Sequence, residues 1–233
     1  MTRVHERVVG EVKMKVGMVT IGQSPRNHVF SEIRGILGGL EIVERGCLDE
    51  LTKEQIESLR PKEREPFLIT LLRDGRSVQV SREKAIGLVQ QRIKEFESED
   101  VALIVLLCTG DFPNFESKKL VIMPGKLIHK MVQGMLTKER KLGVIIPSSE
   151  QIEQTKEKWI DVNPVVAVAS PYENPEKVAE AAKTLQARNV DLTVLDCIGY
   201  TRQMKQKVKE ITGKPVILAC TILARVLREL LEN

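Results

Sequence analysis

Leu103-Ile-Val-Leu-Leu-Cys108-Thr-Gly110 and Leu192-Thr-Val-Leu-Asp-Cys197-Ile-Gly199 are identical at five of eight positions. Each is an aliphatic run of the kind that forms a strand buried on both faces, and each ends in a cysteine followed two residues later by glycine. Two further segments recur in the same order. Lys15-Val-Gly17 and Lys141-Leu-Gly143 each open a strand, and Leu120-Val-Ile-Met123 and Pro215-Val-Ile-Leu218 each precede a helix. Aliphatic strands resemble one another by chance, so the weight rests on the matching Cys-x-Gly. An internal repeat speaks to architecture before any local propensity does. Two copies of a K-x-G strand, a cysteine strand and a β-α unit predict an α/β fold of two pseudo-symmetric lobes, each a parallel sheet flanked by helices, with a cleft between them. The competing reading is a single doubly wound sheet holding two unrelated cysteines.

The remaining pattern is β-α alternation throughout. A strand over 15–21 breaks at Gly22-Gln23-Ser24-Pro25, where Ser24 reads as an N-cap and Pro25 as the first helical residue of a helix stopping at Gly38-Gly39. A strand over 41–44 follows, then a short helix with Thr52 and Gln55 at capping-box spacing. Asp74-Gly75 between apolar runs at 67–72 and 77–80 is a hairpin signal. It falls in the stretch by which the first copy is longer than the second. Helix is expected at 82–96, 125–136, 149–159, 175–188, 201–212 and 220–231, and strand at 101–107, 120–123, 142–147, 165–169, 191–196 and 215–218. Such alternation builds parallel sheets covered by helices.

Composition narrows the function. The 233 residues suffice for two lobes of about 100 residues each. One Trp, two Tyr and five Phe leave a Val/Ile/Leu core, and a net charge of +4 is spread through interleaved acids and bases. A nucleic-acid groove needs a one-signed patch with stacking aromatics, so none is expected. No apolar run reaches the 18 residues of a membrane span. The charged residues 1–15 lack a signal-peptide core, so the expected location is the cytoplasm. There Cys47, Cys108, Cys197 and Cys220 are thiols rather than bridges. Neither they nor His5, His28 and His129 show metal-ligand spacing. Gly35 and Gly38-Gly39 lie outside any G-x-G-x-x-G context, so neither metal nor nucleotide cofactor is expected.

Chemistry concentrates at Cys108 and Cys197. Both stand where a buried parallel strand ends and a glycine turn begins, the edge at which open α/β sheets bind ligands. Nearby helix N-termini favour anions and lower thiol pKa values. Two facing copies would put one thiol on each side of a cleft. That suits proton transfer at a carbon beside a carboxylate, one thiolate removing the proton and the opposite thiol returning it.

Further motifs carry a resemblance over nearly the whole chain after Lys15. Gly17-Met-Val-Thr-Ile-Gly-Gln-Ser-Pro-Arg26, the hairpin at 71–81 with Arg82, Gly143-Val-Ile-Ile-Pro147 and Leu195-Asp-Cys-Ile-Gly199 closely resemble the AroM family. That family looks like a distant branch of the aspartate/glutamate racemase superfamily, with two pseudo-symmetric lobes, a cysteine from each, and an active site between them. The superfamily includes amino-acid racemases, arylmalonate decarboxylase and maleate isomerase. The resemblance implies that the strand after each cysteine crosses to the other lobe, so that 1–118 with 214–233 form the first lobe and 119–213 the second. It also makes a homodimer the candidate assembly. Amino-acid racemases of the superfamily carry Cys-Asn-Thr and Gly-Cys-Thr. Cys108-Thr109-Gly110 and Asp196-Cys197-Ile198 depart from both, which argues against an acidic amino acid as substrate.

The reading is thus a cofactor-independent racemase or epimerase, with catalytic Cys108 and Cys197, acting on a small carboxylate or related carbonyl compound. The alternatives are a single-cysteine lyase or cis–trans isomerase and a ligand-binding regulatory module without chemistry. Gly22, Gln23, Ser24, Thr109, Gly110, Ser148, Ser149, Asp196, Ile198 and Gly199 are the expected substrate contacts, although Ser24, Ser148 and Ser149 serve equally well as helix caps. Asp196 at the end of a buried strand needs a partner, because an unpaired buried carboxylate is costly. Asp111 and Arg82 are within reach of the cleft or solvated, and Tyr200 caps the pocket or packs behind it. Cys47 and Cys220 read as small buried hydrophobes.

Overall fold

The computed structural model describes residues 14–232. Residues 1–13 of the charged leader, His5 among them, lie outside the described residues. Strand β1 (Lys15–Thr20) leads to helix α1 (Asn27–Leu37), and β2 (Glu41–Gly46) to α2 (Lys53–Ser58). The hairpin β3 (Phe67–Leu71) and β4 (Ser77–Ser81) follows, then α3 (Arg82–Glu97), β5 (Leu103–Leu106), β6 (Val121–Ile122) and α4 (Pro124–Met135). The second half runs β7 (Leu142–Ile146), a 3-10 turn at Ser149–Gln151, α5 (Ile152–Lys158), a second 3-10 turn at Ile160–Val162, and β8 (Val165–Val168). It closes with α6 (Glu176–Ala187), β9 (Leu192–Leu195), α7 (Arg202–Thr212), β10 (Val216–Leu218) and α8 (Ala219–Leu231).

Two four-stranded sheets result, β2-β1-β5-β6 and β8-β7-β9-β10, parallel throughout and identical in order. The repeat therefore maps strand for strand. Even the register is shared: Gly17 pairs with Ile104 and Gly143 with Thr193, which are equivalent positions of the repeat. The K-x-G glycine has one physical role in both copies. A Cβ at Gly17 would lie 2.9 Å from the Phe96 ring of α3, and one at Gly143 would lie 2.8 Å from Leu185 of α6. Each glycine lets a covering helix set a large side chain flush on the central strand.

Strand residues alternate between two layers, as the pleat requires. Val16, Met18, Leu103 and Val105 join a core that continues without a break into the second half, through Val144, Val194, Leu218 and Leu223. Val19, Ile104 and Leu106 face a second core with Ile93 and Phe96 of α3. Helix α8 packs along α1 and touches α4, joining the lobes behind the sheets.

Two expectations are corrected. Neither strand after a cysteine crosses: β6 stays hydrogen-bonded to β5, and β10 to β9. It is α8, following β10, that returns to the first lobe's α1. Ser24 is not an N-cap and Pro25 is not helical. The peptide between them is cis, the helix starts at Asn27, and its N-cap position, Arg26, makes no side-chain cap. The hydroxyl of Ser24 instead donates to Asp49 Oδ2 at 2.7 Å. The Thr52–Gln55 capping box and the Asp74-Gly75 hairpin form where expected, with Gly75 at φ +85°.

Candidate active site

Backbone geometry delivers the two thiols in the same way. Leu107 N–H bonds to the Val19 carbonyl at 2.7 Å, and at the equivalent position Asp196 N–H bonds to the Ile145 carbonyl at 2.9 Å. One residue later each chain turns, and the amide of the motif glycine points back at the sulfur. Gly110 N lies 3.4 Å from Cys108 Sγ, and Gly199 N lies 3.5 Å from Cys197 Sγ. Glycine leaves room for a neighbouring side chain at both turns. A Cβ would come within 2.6 Å of Leu68 at position 110 and 2.4 Å of the Tyr172 hydroxyl at position 199.

Both thiols line one cavity of about 210 Å³, room for a molecule of several heavy atoms. Thr109, Gly110 and Asp111, which follow Cys108, and Asp196, which precedes Cys197, are part of the same lining. The hairpin supplies Pro66, Leu68 and Ile69, while Gln151, Gln154, Thr155 and Lys158 come from the 3-10 turn and α5. Gln154 fastens these two walls together: its side chain accepts from Phe67 N at 3.3 Å and donates to Phe67 O at 3.1 Å. At the cavity wall Arg82 Nη1 meets the more exposed Asp111 Oδ2 at 3.2 Å.

The electrostatic centre is Lys158, which sequence reading passed over. Its ammonium donates to both oxygens of Asp196, at 2.8 and 2.7 Å, and to the Thr109 carbonyl at 2.7 Å. One cation thus bonds to the residue before Cys197 and to the residue after Cys108. The indole N–H of Trp159 also donates to Asp196 Oδ2, at 2.9 Å. The buried carboxylate therefore has the partners that burial demands.

Burial pushes both thiols up. Cys108 rises to about 12, the Gly110 amide and Lys158 working against burial while Cys197 and Asp196 reinforce it. Cys197 is also raised by burial, opposed by the Gly199 amide, the Tyr172 hydroxyl and the charge of Arg26. Tyr172 Oη lies 3.7 Å from Cys197 Sγ. Behind it Arg26, 3% exposed, extends Nη2 to that hydroxyl at 3.5 Å and Nη1 to the Leu71 carbonyl at 3.2 Å.

Of the expected contacts, Thr109, Gly110 and Asp196 line the cavity with the two cysteines, and Gly22, Gln23, Ser24, Ser149, Ile198 and Gly199 do not. The polar groups of the 22–24 loop are occupied: Gln23 bonds to Leu48 and Arg73, and Ser24 to Asp49 and Arg73. Ser148 caps the 3-10 turn through Glu150 N and lines a different hollow, beside the outer face of the hairpin. Ile198 is buried in the core, and Gly199 serves Cys197 from behind. Tyr200 packs behind the cavity, fully buried, its hydroxyl donating to Ala169 O at 2.7 Å. Cys47 and Cys220 are buried, and burial raises both thiols. Among the described residues no group of three or more His, Cys, Asp or Glu is placed to hold a metal, and no helix is long and apolar enough to cross a membrane.

The missed residues carried faint signals. The chain's single Trp and both of its Tyr gather around the second cysteine. In so aromatic-poor a chain that clustering is visible only once the fold brings 159, 172 and 200 together.

The fold matches several solved structures. A double mutant of arylmalonate decarboxylase in its liganded form, in which one glycine is replaced by cysteine and one cysteine by serine, superposes with TM-score 0.62 at 12% identity, covering 92% of each chain. The maleate isomerase of Pseudomonas putida gives 0.61 at 11% identity, over 94% of this chain and 93% of that one. The aspartate racemase of Picrophilus torridus gives 0.56 at 16% identity over 93% of each. Two-lobed α/β architecture of the aspartate/glutamate racemase type is thereby shown. By sequence the chain matches no curated protein. The profile described as "AroM protein" does match, over residues 16–231, and the chain therefore belongs to the AroM family.

Proposed function

We propose that the protein is a cofactor-independent isomerase, a racemase or epimerase that moves a proton at a carbon beside a small carboxylate or related carbonyl group. One observation carries this reading: two cysteines from equivalent strands of the two copies line one small cavity, each with a glycine amide aimed at its sulfur. Proton removal from one face of a carbon and return to the other requires an acid–base group on each side, within about 3.5 Å of the reacting atom. A thiol serves in either protonation state, and the glycine amides stabilise its anion. The Lys158 ammonium beside both loops supplies positive charge close to where an enolate-like intermediate would develop. The racemases and the isomerase of like fold are consistent with this chemistry.

A second reading rests on the burial of Cys108, whose thiol is held at about 12 and is therefore protonated at neutral pH. A cleft that binds a small carbonyl compound without turning it over would look the same.

Incubation in heavy water with a panel of small carboxylates, followed by NMR, separates the readings. Deuterium entering the α position, and falling about 100-fold or more in both Cys108→Ser and Cys197→Ser, is the expected outcome. Dependence on one thiol alone indicates a one-base lyase or isomerase. Saturable binding without exchange indicates a binding module and overturns the proposal.

A further inference from the structure

The surroundings of the two thiols differ more than their backbones do. Cys108 Sγ accepts from a backbone amide, that of Gly110. Cys197 Sγ has the equivalent amide and, in addition, the Tyr172 hydroxyl at 3.7 Å. Arg26 stands behind that hydroxyl. Among the described residues its guanidinium has no carboxylate within salt-bridge range, and its Nε is buried without a partner. An unpaired buried cation is costly unless something nearby becomes negative. The Glu44 carboxylate meets Arg26 through its backbone N–H, at 3.1 Å, whereas the guanidinium itself reaches the Tyr172 hydroxyl, which in turn meets Cys197.

We propose that Tyr172, backed by Arg26, is a positioning residue that makes Cys197 the first of the two thiols to ionise, and hence the base, while Cys108 holds its proton as the opposing acid. A hydroxyl donating to sulfur favours the thiolate, and a guanidinium polarising that hydroxyl strengthens the donation. The other charged and titratable groups facing this pair do not reverse the order. Asp196 adjoins Cys197, but Lys158 at 2.7 Å neutralises it. His28, with its ring centroid 6.1 Å from that of Tyr172, is kept neutral by burial. Burial raises both thiols, and Lys158 favours the Cys108 anion, so the order rests on the extra hydroxyl donor at Cys197. The role of base rests on the proton-transfer reading above. The order of ionisation does not.

Native protein is treated with iodoacetamide over a series of pH values, and the alkylation of each cysteine is followed by peptide mass spectrometry. Thiolate ultraviolet absorbance of wild type minus Cys197→Ala, and of wild type minus Cys108→Ala, gives the same midpoints for a thiol the reagent cannot reach. Cys197 should ionise at lower pH than Cys108. Tyr172→Phe keeps the ring that packs beside Gly199, and should move the Cys197 midpoint up by about one unit, a tenfold loss of thiolate below it, leaving Cys108 in place. Arg26→Gln should move it likewise, with Arg26→Lys restoring most of the loss. Ionisation of Cys108 first, or a Cys197 midpoint indifferent to Tyr172→Phe, overturns the proposal. Failure of deuterium exchange with this order intact would refute the isomerase reading alone.

Discussion

Lys158 Nζ lies 2.7 Å from Asp196 Oδ2 and 2.7 Å from the Thr109 carbonyl, tying the loop of one thiol to the loop of the other. Both charged side chains are largely buried, Lys158 at 13% and Asp196 at 7% exposure. Removing the cation leaves a carboxylate in a low-dielectric wall with the Trp159 indole as its remaining side-chain donor. Breaking such a pair typically costs about 3–5 kcal/mol, whereas replacing both partners is far milder. Lys158→Met should therefore destabilise the protein by about 3 kcal/mol in urea unfolding, and Lys158→Met with Asp196→Asn should recover more than half of it. Fluorescence of Trp159, the chain's single tryptophan, reports the change at the site itself.

Glycine-to-alanine substitution should have opposite signs at two positions. Gly35 is exposed on α1 with nothing within 4 Å of where a methyl group would stand, so Gly35→Ala should stabilise by about 0.5–1 kcal/mol through helix propensity. Gly125, in the first turn of α4, is pressed against backbone: a Cβ there would lie 2.5 Å from the Thr109 carbonyl oxygen and 2.9 Å from that of Gly110. Backbone cannot swing aside as a side-chain tip can. Gly125→Ala should cost about 1–3 kcal/mol and displace the carbonyl that Lys158 holds. Thermal unfolding of the two variants checks the signs.

Acid should loosen the protein through His28. Burial, with Arg26 adding to it, lowers this imidazole to about 4 from an ordinary 6.5. Between those values the unfolded chain binds the proton and the folded one resists it, so stability is lost as pH falls from 6.5 toward 4. Because His28 is partly exposed, the loss is about 1–2 kcal/mol rather than the full shift. His28→Gln should flatten the stability profile across this window. An unchanged slope would place the acid sensitivity elsewhere.

Gln154 joins the hairpin to α5 through both polar atoms of its amide. Gln154→Ala removes a donor and an acceptor from a part-buried strand end. It should cost about 1–2 kcal/mol and loosen the cavity wall, read as faster hydrogen exchange at the Phe67 amide.

What was legible in the sequence was local or repeated. Val/Ile/Leu runs, the Asp74-Gly75 turn and the Thr52–Gln55 box are decided by neighbours a few residues away, and each appears where its pattern stands. Cys-x-Gly was legible because it occurs twice, and its glycine amides explain why. Ser24 misled because its cap-like context is local while its actual partner, Asp49, lies in the turn after β2. Lys158 was invisible for the opposite reason. In the charged stretch Lys156-Glu157-Lys158 it reads as a solvated helix end, and nothing local says that the strands carrying Thr109 and Asp196 converge on it. The fate of the strands after each cysteine depended on edge pairing, for which two- and three-residue strands give almost no pattern.

The apolar core running unbroken from β1 to α8 has a mechanical corollary. A clamshell needs a spine that bends, yet here the jaws are fused along their backs by interlocked aliphatic side chains, and close packing of that kind shifts between discrete arrangements rather than flexing smoothly. The two cysteines therefore line their cavity on a frame whose halves share one continuous core, so the spacing of the thiols is set by packing rather than by a hinge.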